Sequence, residues 1–252
     1  MLTEERLDFI RQQLSRDGKV IAGDLAIFFK VSEDTVRRDL RELAKSGECR
    51  RVYGGALVAA SNAGSIDVRQ AADPLEKQKL GKAVASLISA NQTLFIDAGS
   101  TNLAIARALP KDIQLMVITN APGVVSVLSD HKNCSVLMLG GLHNRDKGAN
   151  LGSITLREIR YINADIFILG ACGIDPAMGV TALDVGEAEV KRAMLDQSAS
   201  LIVAATADKI RTVAPFKVAD ASAVTHLVVE RPMASEIEAG FAGNGTAIHI
   251  AS

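Results

Sequence analysis

The stretch Val31-Ser-Glu-Asp-Thr-Val-Arg-Arg-Asp-Leu40 decides the fold of the first part of this 252-residue chain. Ser32 is a residue type that caps helices, and the two acidic residues after it favour the positive end of a helix dipole. Val36, Leu40 and Leu43 recur at helical spacing and form one apolar stripe. The stretch therefore predicts an amphipathic helix that carries arginines on its other face.

Two further short helices are predicted upstream of this one. The first begins at Thr3 and ends at Asp17-Gly18, and its apolar residues recur every three or four positions. The second fits residues 23–29 and is followed by the tight turn Lys30-Val31-Ser32. Three short helices, of which the last two are joined by a tight turn, form a helix-turn-helix.

The polar face of the last helix and the segment after it carry the candidate DNA-binding residues. In a helix-turn-helix the second helix enters the major groove, where arginines read guanine edges or grip phosphates. Residues 48–55 then predict a short basic ribbon that ends in glycines, which suggests a wing that touches phosphates. The candidates for DNA binding are Ser32, Thr35, Arg37, Arg38, Arg41, Arg50 and Arg51.

Positive charge is concentrated around this helix. The whole chain has a formal net charge of -1, which alone argues against a nucleic-acid-binding protein. Residues 37–51, however, hold six basic and three acidic side chains. A charged outer face can also be merely solvated, and spacing alone does not exclude that alternative.

Composition limits the class of protein. Hydrophobic residues make up 48% of the chain, but the apolar runs are much shorter than the roughly 20 residues of a membrane helix. No secretory signal opens the sequence, so we expect a cytoplasmic protein. Cys49, Cys134, Cys172 and the four histidines are scattered, which predicts neither a disulfide framework nor a metal site. No cofactor is expected.

The rest of the chain is predicted to fold separately. Residues 57–73 are rich in Ala, Ser, Asn and Gly, which predicts a linker that runs into an extended segment at Ile66-Asp-Val-Arg69. Beyond it, predicted helices and strands alternate, which favours an α/β domain with a mostly parallel sheet. We therefore expect a winged helix-turn-helix at residues 1–56, a linker at 57–73 and an α/β domain at 74–252.

The carboxyl ends of the predicted strands carry the candidate ligand site, because ligands of open α/β sheets bind there. The first strand of this domain ends in Asp97-Ala-Gly-Ser-Thr-Asn102. Its glycine, its hydroxyls and the free amides of the following helix suit a phosphate. A bare strand-to-helix turn fits the same pattern equally well.

Other strand ends add polar groups and glycines to the same edge. These are Thr119-Asn120, Gly140-Gly141 and Asp208-Lys209. Glu187 on a later helix can face the site, whereas Lys191 on that helix could simply be solvated. Gathered at one edge, such groups suit a small phosphorylated ligand.

The chain resembles the DeoR-type bacterial transcriptional regulators over nearly its whole length. The resemblance rests on Thr35-Val-Arg-Arg-Asp-Leu40 and Gly54-Gly55-Ala56, and further along on Asp97-Ala-Gly-Ser-Thr101 and Val190-Lys-Arg-Ala-Met194. It implies a winged helix-turn-helix followed by an effector-sensing domain similar in fold to ribose-5-phosphate isomerase. By that resemblance the candidate effector-binding residues are Asp97, Gly99, Ser100, Thr101, Thr119, Asn120, Gly140, Gly141, Glu187 and Lys209.

The chain departs from this family at one point of the candidate pocket. The family usually has an aspartate three residues before the lysine, whereas Thr206 stands there and Asp208 directly precedes Lys209. Either Asp208 substitutes from a shifted position, or the pocket has lost a carboxylate.

The resemblance implies a DNA-binding regulator, mostly of the repressor type, of carbohydrate metabolism genes. Its expected partners are a double-stranded DNA operator and a small phosphorylated sugar or related metabolite. Because helix-turn-helix proteins usually pair over two half-sites, we expect a homodimer or homotetramer.

Two other functions compete with this one. An isomerase of phosphorylated sugars with an accessory helix-turn-helix would use Asp97 or Glu187 as base beside Lys209, and turnover by the purified protein would reveal it. Alternatively, the second domain only oligomerises and binds no ligand.

Overall fold

The helices and strands alternate along most of the chain in the computed structural model, which describes residues 2–61 and 64–252. Met1, Asn62 and Ala63 lie outside the described residues, and so does that part of the predicted linker. The α-helices of the described ranges are α1 (Thr3–Asp17), α2 (Ala22–Phe29), α3 (Glu33–Lys45), α4 (Ile66–Ala71), α5 (Pro74–Ala85), α6 (Ser100–Ala108), α7 (Pro122–Leu128), α8 (Ser153–Ile159), α9 (Val185–Asp196) and α10 (Ser235–Gly243).

The strands of the same ranges form one large sheet and three small ones. They are β1 (Lys19–Ile21), β2 (Cys49–Val52), β3 (Gly55–Ala59), β4 (Gln92–Ile96), β5 (Leu115–Thr119), β6 (Cys134–Met138), β7 (Leu142–Asn144), β8 (Ala149–Leu151), β9 (Ala164–Gly170), β10 (Gly173–Asp175), β11 (Gly179–Ala182), β12 (Ser198–Ala205), β13 (Thr212–Val213), β14 (Phe216–Ala219), β15 (His226–Val229) and β16 (Ala247–Ile250).

The first three helices pack around a small apolar core of their own. Leu7 and Ile10 of α1, Phe29 of α2 and Leu40 and Leu43 of α3 are all buried in it. The three predicted helices are confirmed, and α2 and α3 are joined by the expected tight turn. The hairpin of β2 and β3 follows α3 as a wing.

The predicted linker is shorter and more ordered than the sequence suggests. Strand β3 continues to Ala59, so the start of the 57–73 segment belongs to the wing sheet. The extended segment predicted at Ile66–Arg69 is wrong, because these residues form α4. The Ile66 N–H donates to the Asp146 carbonyl at 2.8 Å, and α4 contacts α6. Such tertiary contacts leave no periodic signal in a short helix without a buried residue.

A strand from the second half of the chain completes the wing sheet. β13 pairs with β3 in parallel, with Thr212 opposite Val58 and Val213 opposite Ala59. β1 pairs with residues 55–57 of β3, and β2 pairs with residues 55–58. Since a strand has two edges, β13 occupies the edge of β3 just where β1 ends. The DNA-binding region and the α/β region are therefore joined through one sheet.

The α/β region is built on a seven-stranded sheet in the order β16-β15-β12-β9-β4-β5-β6. Every neighbouring pair in it is parallel, which confirms the predicted class of fold. Separate apolar clusters cover its two faces, one around Phe95 and Phe167 and the other around Leu80 and Ile96. The small antiparallel sheets β7-β8 and β10-β11-β14 lie beyond the predicted pattern. Of the helices in the described ranges, none has the length and apolar character needed to cross a membrane.

Candidate nucleic-acid interface and effector site

Helix α3 presents its basic side chains to solvent. Ser32 caps the helix, and its Oγ accepts a hydrogen bond from the Thr35 N–H at 3.3 Å. Arg38 and Arg41 are exposed and have no hydrogen-bond or ion-pair partner among the described residues. Arg37 is exposed too, but its Nη2 lies 2.6 Å from Glu33 Oε2. Arg38 and Arg41 are thus available to an anion, whereas Arg37 must first leave its carboxylate.

The orientation of α3 is fixed by a buried ion pair with α1. Arg6 Nε lies 2.8 Å from Asp39 Oδ2, and Arg6 Nη2 lies 3.1 Å from Oδ1. The two side chains are 9% and 3% exposed. One sign of this contact is visible in the sequence, because Asp39 falls on the apolar stripe between Val36 and Leu43. An acidic residue at such a position needs a buried partner.

The wing carries the remaining candidates for DNA contact. Arg51 is exposed and has no partner among the described residues. Arg50 is half-buried, and its Nη2 donates to the Pro215 carbonyl of the α/β region at 3.5 Å. The structure therefore gives the two arginines different surroundings.

A polar cavity of about 90 Å³ lies at the carboxyl ends of β4, β9 and β12. Five of the ten effector candidates line it: Gly99, Ser100, Thr101, Glu187 and Lys209. The turn 98–101 lies at the N-terminus of α6, Glu187 comes from α9, and Lys209 follows β12. As predicted, these three segments come together at one edge of the sheet.

The other five candidates lie elsewhere. Asp97 lies below the cavity and is buried. The buried Asn120 donates through Nδ2 to the Asn150 carbonyl at 2.9 Å, which ties the end of β5 to the β7-β8 hairpin. Thr119 Oγ1 accepts from the Ala121 N–H at 3.0 Å. Both of these contacts serve the fold.

The glycine pair also has a packing role. The Gly140 N–H donates to Glu158 Oε2 of α8 at 2.7 Å. Gly141 has a φ of 132°, and a Cβ there would lie 2.2 Å from Thr155 Oγ1. Gly141 therefore permits a close approach to α8, and neither glycine lines the cavity.

A buried ion pair supports the floor of the cavity. Lys191 Nζ contacts Asp97 Oδ2, and both side chains are 3% exposed. Asp97 Oδ1 also accepts from Asn102 Nδ2 at 2.6 Å and from the Gly170 N–H at 2.8 Å. Burial lowers the pKa of Lys191, but the carboxylates of Asp97 and Glu187 outweigh it and raise that pKa above its usual value. The expectation that Lys191 is solvated is wrong.

Four cavity residues come from the segment predicted as a linker and the helix after it: Arg69, Ala72, Asp73 and Lys77. Arg69 Nε is buried and has no hydrogen-bond partner among the described residues. Lys77 Nζ donates to the Arg69 carbonyl at 2.5 Å and to that of Ala72, which fastens α4 to α5. Burial lowers the pKa of Lys77. Sequence patterns missed Arg69 because α4 has no apolar periodicity.

The departure from the family pattern at Thr206 also has a place in this cavity. Thr206 Oγ1 lies 2.5 Å from Asp208 Oδ1, and Lys209 Nζ lies 2.8 Å from Asp208 Oδ2. Partial burial raises the pKa of Asp208, but hydrogen bonds from Lys209 and Thr206 outweigh it, so the pKa lies below its usual value. Both Thr206 and Asp208 line the cavity, which supports the shifted-carboxylate alternative.

Comparisons with known proteins point to the same family in both parts of the chain. Residues 6–62 match the DeoR-like helix-turn-helix domain, and residues 73–231 match the DeoR C-terminal sensor domain. The glycerol-3-phosphate regulon repressor of Escherichia coli K12 is 31% identical over 92% of this chain and 92% of its own length. The putative aga operon transcriptional repressor of Escherichia coli O157:H7 is 29% identical over 90% of this chain and 86% of its own.

Two further similarities concern a repressor and a solved structure. The transcriptional repressor GlcR of Bacillus subtilis is 28% identical over 92% of this chain and 90% of its own length. Ribose 5-phosphate isomerase A of Methanocaldococcus jannaschii aligns over 55% of each chain with 12% identity and a TM-score of 0.42. The family matches and the named repressors agree with the exposed basic helix and the separate polar cavity. The chain belongs to the DeoR family: it is a DNA-binding transcriptional regulator and not an enzyme.

Proposed function

We propose that the chain represses carbohydrate metabolism genes and that a phosphorylated sugar or related metabolite in the α/β cavity controls its binding to operator DNA. The buried Arg69 Nε without a partner carries the ligand proposal, because an unmade hydrogen bond at a buried nitrogen of a guanidinium group favours an anion there. The names of the relatives, which include a glycerol-3-phosphate regulon repressor, support the same class of regulon.

The phosphate is proposed to bind at the start of α6. The first amides of this nine-residue helix have no partner within the helix, and its dipole favours negative charge. Ser100 and Thr101 add hydroxyl groups, and Arg69 and Lys209, which also line the cavity, add positive charge. A phosphate in this position would be held by both main-chain and side-chain donors.

The carbon chain of the ligand is proposed to lie against the carboxylates of the cavity. Glu187 is 6% exposed and lies 3.3 Å from Lys147 Nζ, so its position is fixed. Asp208 is held by Thr206 and Lys209. Carboxylate oxygens accept hydrogen bonds from hydroxyl groups, which suits a polyol or sugar.

The segment 206–213 is proposed to connect the ligand with the DNA-binding region. Lys209 lines the cavity, Arg211 lies against Gly18 at the end of α1, and β13 pairs with the wing strand β3. A ligand shifts the DNA-binding equilibrium only if it binds two arrangements of this segment with different affinity. Lys209 is placed to make that distinction.

Operator binding is proposed to use the exposed residues of α3 and the wing, with Arg38, Arg41 and Arg51 contributing most. Since a single recognition helix covers only one half-site, the active form is proposed to be a homodimer or homotetramer. A regulator of this kind works where the DNA is, so the expected cytoplasmic location stays part of the proposal.

A thermal-shift series tests the effector proposal. Purified protein is heated with sugar phosphates, with the same sugars lacking phosphate, and with inorganic phosphate. A ligand at one hundred times its Kd stabilises the folded state by about 2.7 kcal/mol, which raises the midpoint by several degrees. We expect the unfolding midpoint to rise with the phosphorylated compounds and not with the sugars that lack phosphate. The rise should be lost in Arg69→Ala. No rise with any phosphorylated compound would contradict the proposal.

A further inference from the structure

Tyr53 stands at the tip of the wing. Val52 and Gly55 face each other at the end of the β2-β3 hairpin, so Tyr53 and Gly54 form its two-residue turn. Gly54 has a φ of 81°, which suits glycine in such a turn. The Tyr53 side chain is completely exposed and has no hydrogen-bond or ring partner among the described residues. A large aromatic group is therefore presented to solvent at the furthest point of the hairpin.

The tip is held rigidly relative to the recognition helix. The Gly54 carbonyl accepts a hydrogen bond from the Ala22 N–H at 2.8 Å, at the start of α2. A Cβ at Gly55 would lie only 2.0 Å from the Val20 carbonyl oxygen, so β3 and β1 pack closely. At the base of the wing, Cys49 Sγ lies 3.7 Å from the Leu40 carbonyl of α3. The backbone of the tip is thus tied to α2 and β1, and the base of the wing is tied to α3.

The charge of the wing is complementary to DNA. Residues 49–59 contain Arg50 and Arg51 and no acidic residue. A hairpin beside a helix in the major groove faces either the phosphate backbone or the next minor groove. The exposed Arg51 suits a phosphate, whereas a flat, rigid ring suits the narrow space between the sugar walls of a minor groove.

We propose that the Tyr53 ring enters the minor groove beside each half-site and makes the protein prefer A·T pairs there. A G·C pair places the N2 amino group of guanine in this groove, where an A·T pair has none. That amino group would obstruct the ring. Tyr53 is thus a specificity-determining residue, whereas the exposed Arg51 contacts the phosphate backbone beside it.

Affinity measurements with full-length protein test this role. The probe is a duplex that the wild-type protein selects from a random pool. We expect Tyr53→Ala to bind it roughly tenfold more weakly, because one inserted ring is lost. Tyr53→Phe keeps the ring and should stay within about twofold of the wild type. The matched control is Tyr161→Ala, which removes the other exposed tyrosine and should leave affinity unchanged.

A modified duplex locates the contact in the minor groove. Replacing adenine by 2,6-diaminopurine in the pairs that flank the selected half-sites adds a minor-groove amino group and leaves the major-groove pattern unchanged. We expect a roughly tenfold loss of affinity for the wild type and none for Tyr53→Ala. Equal losses for both proteins would overturn the proposal, as would wild-type affinity in Tyr53→Ala. A tenfold loss in Tyr53→Phe would instead indicate a hydroxyl bound to phosphate.

Tyrosine emission gives a readout independent of affinity. The chain has no tryptophan and only two tyrosines, so Tyr161→Phe leaves Tyr53 as the sole tyrosine. Binding of the selected duplex should quench its emission, and an unchanged signal at saturating DNA would overturn the proposal. If the wild type selects no duplex at all, DNA binding itself is contradicted, and the role of Tyr53 falls with it.

Discussion

The DNA-binding region and the α/β region each contain a buried ion pair, and the two pairs differ in kind. In the first, Arg6 Nε and Arg6 Nη2 each donate a hydrogen bond to a different carboxylate oxygen of Asp39. In the second, the point charge of Lys191 is shared between Asp97 and the Gly170 carbonyl, 2.7 Å away. A planar fork fixes the angle between two helices, whereas an ammonium group supplies charge beneath a ligand cavity. The first pair sets geometry, and the second sets both geometry and electrostatics.

The largest expected effect comes from breaking the pair in the α/β region. Lys191→Ala leaves the carboxylate of Asp97 buried without its cation, which costs about 3–5 kcal/mol of folding free energy. Urea unfolding followed by circular dichroism measures the loss. The double variant Asp97→Asn, Lys191→Met removes both charges and should lose less. Equal losses in the single and double variants would show that packing, and not charge, dominates.

A smaller loss is expected from the pair in the DNA-binding region. Asp39→Ala removes the carboxylate that orients Arg6 and costs about 2 kcal/mol. Because α3 is no longer held against α1, operator affinity should fall as well, which a titration of labelled duplex detects. The control is Asp8→Ala, which removes an exposed partner of Arg11. If the control weakens DNA binding as much, the contact with α3 is not the reason.

The exposed arginines of α3 should differ in their contribution to operator binding, because they differ in their partners within the protein. Arg38→Ala is expected to cost about 1 kcal/mol of operator binding and, if the side chain contacts phosphate, to lower the salt slope by about 1. Arg37→Ala should cost less, because binding by Arg37 must first disrupt its contact with Glu33. Affinities at several salt concentrations measure both effects. A larger loss in Arg37→Ala would reverse this assignment.

The smallest effect is expected at the ion pair between the two regions. Lys19 and Glu236 contact each other, but their side chains are 42% and 68% exposed. Water and salt screen such pairs, so Lys19→Ala should leave the unfolding midpoint unchanged. A clear shift of that midpoint in calorimetry would mean that this contact, and not β13 alone, holds the regions together.

Local patterns in the sequence predicted the structural features that depend only on residues close together along the chain. The apolar stripe and cap of α3 are complete within residues 32–43, and the buried strands are short apolar runs between turns. Part of the lining of the cavity could be predicted from the sequence for the same reason. Ser100, Thr101 and Lys209 lie in the turns that follow strand ends, and strand ends meet at one edge of a parallel sheet.

The remaining features depend on contacts between distant residues. Lys191 and Asp97 are 94 positions apart, and only the fold brings them together. Thr119 ends a strand and Asn120 follows it, but Asn120 is bonded to Asn150 of the β7-β8 hairpin. Arg69 enters the cavity from a helix that no periodicity marks. None of these contacts has a local signal.

The pairing of the two-residue strand β13 with β3 limits which sensor domains could be joined to this DNA-binding region. A chimera that carries residues 1–61 on a foreign sensor would leave part of the β3 edge open, and open edges pair with edges of other molecules. Such a chimera should self-associate unless the new sensor supplies a strand at the same place. A working exchange would therefore have to move the DNA-binding region and the α/β region together.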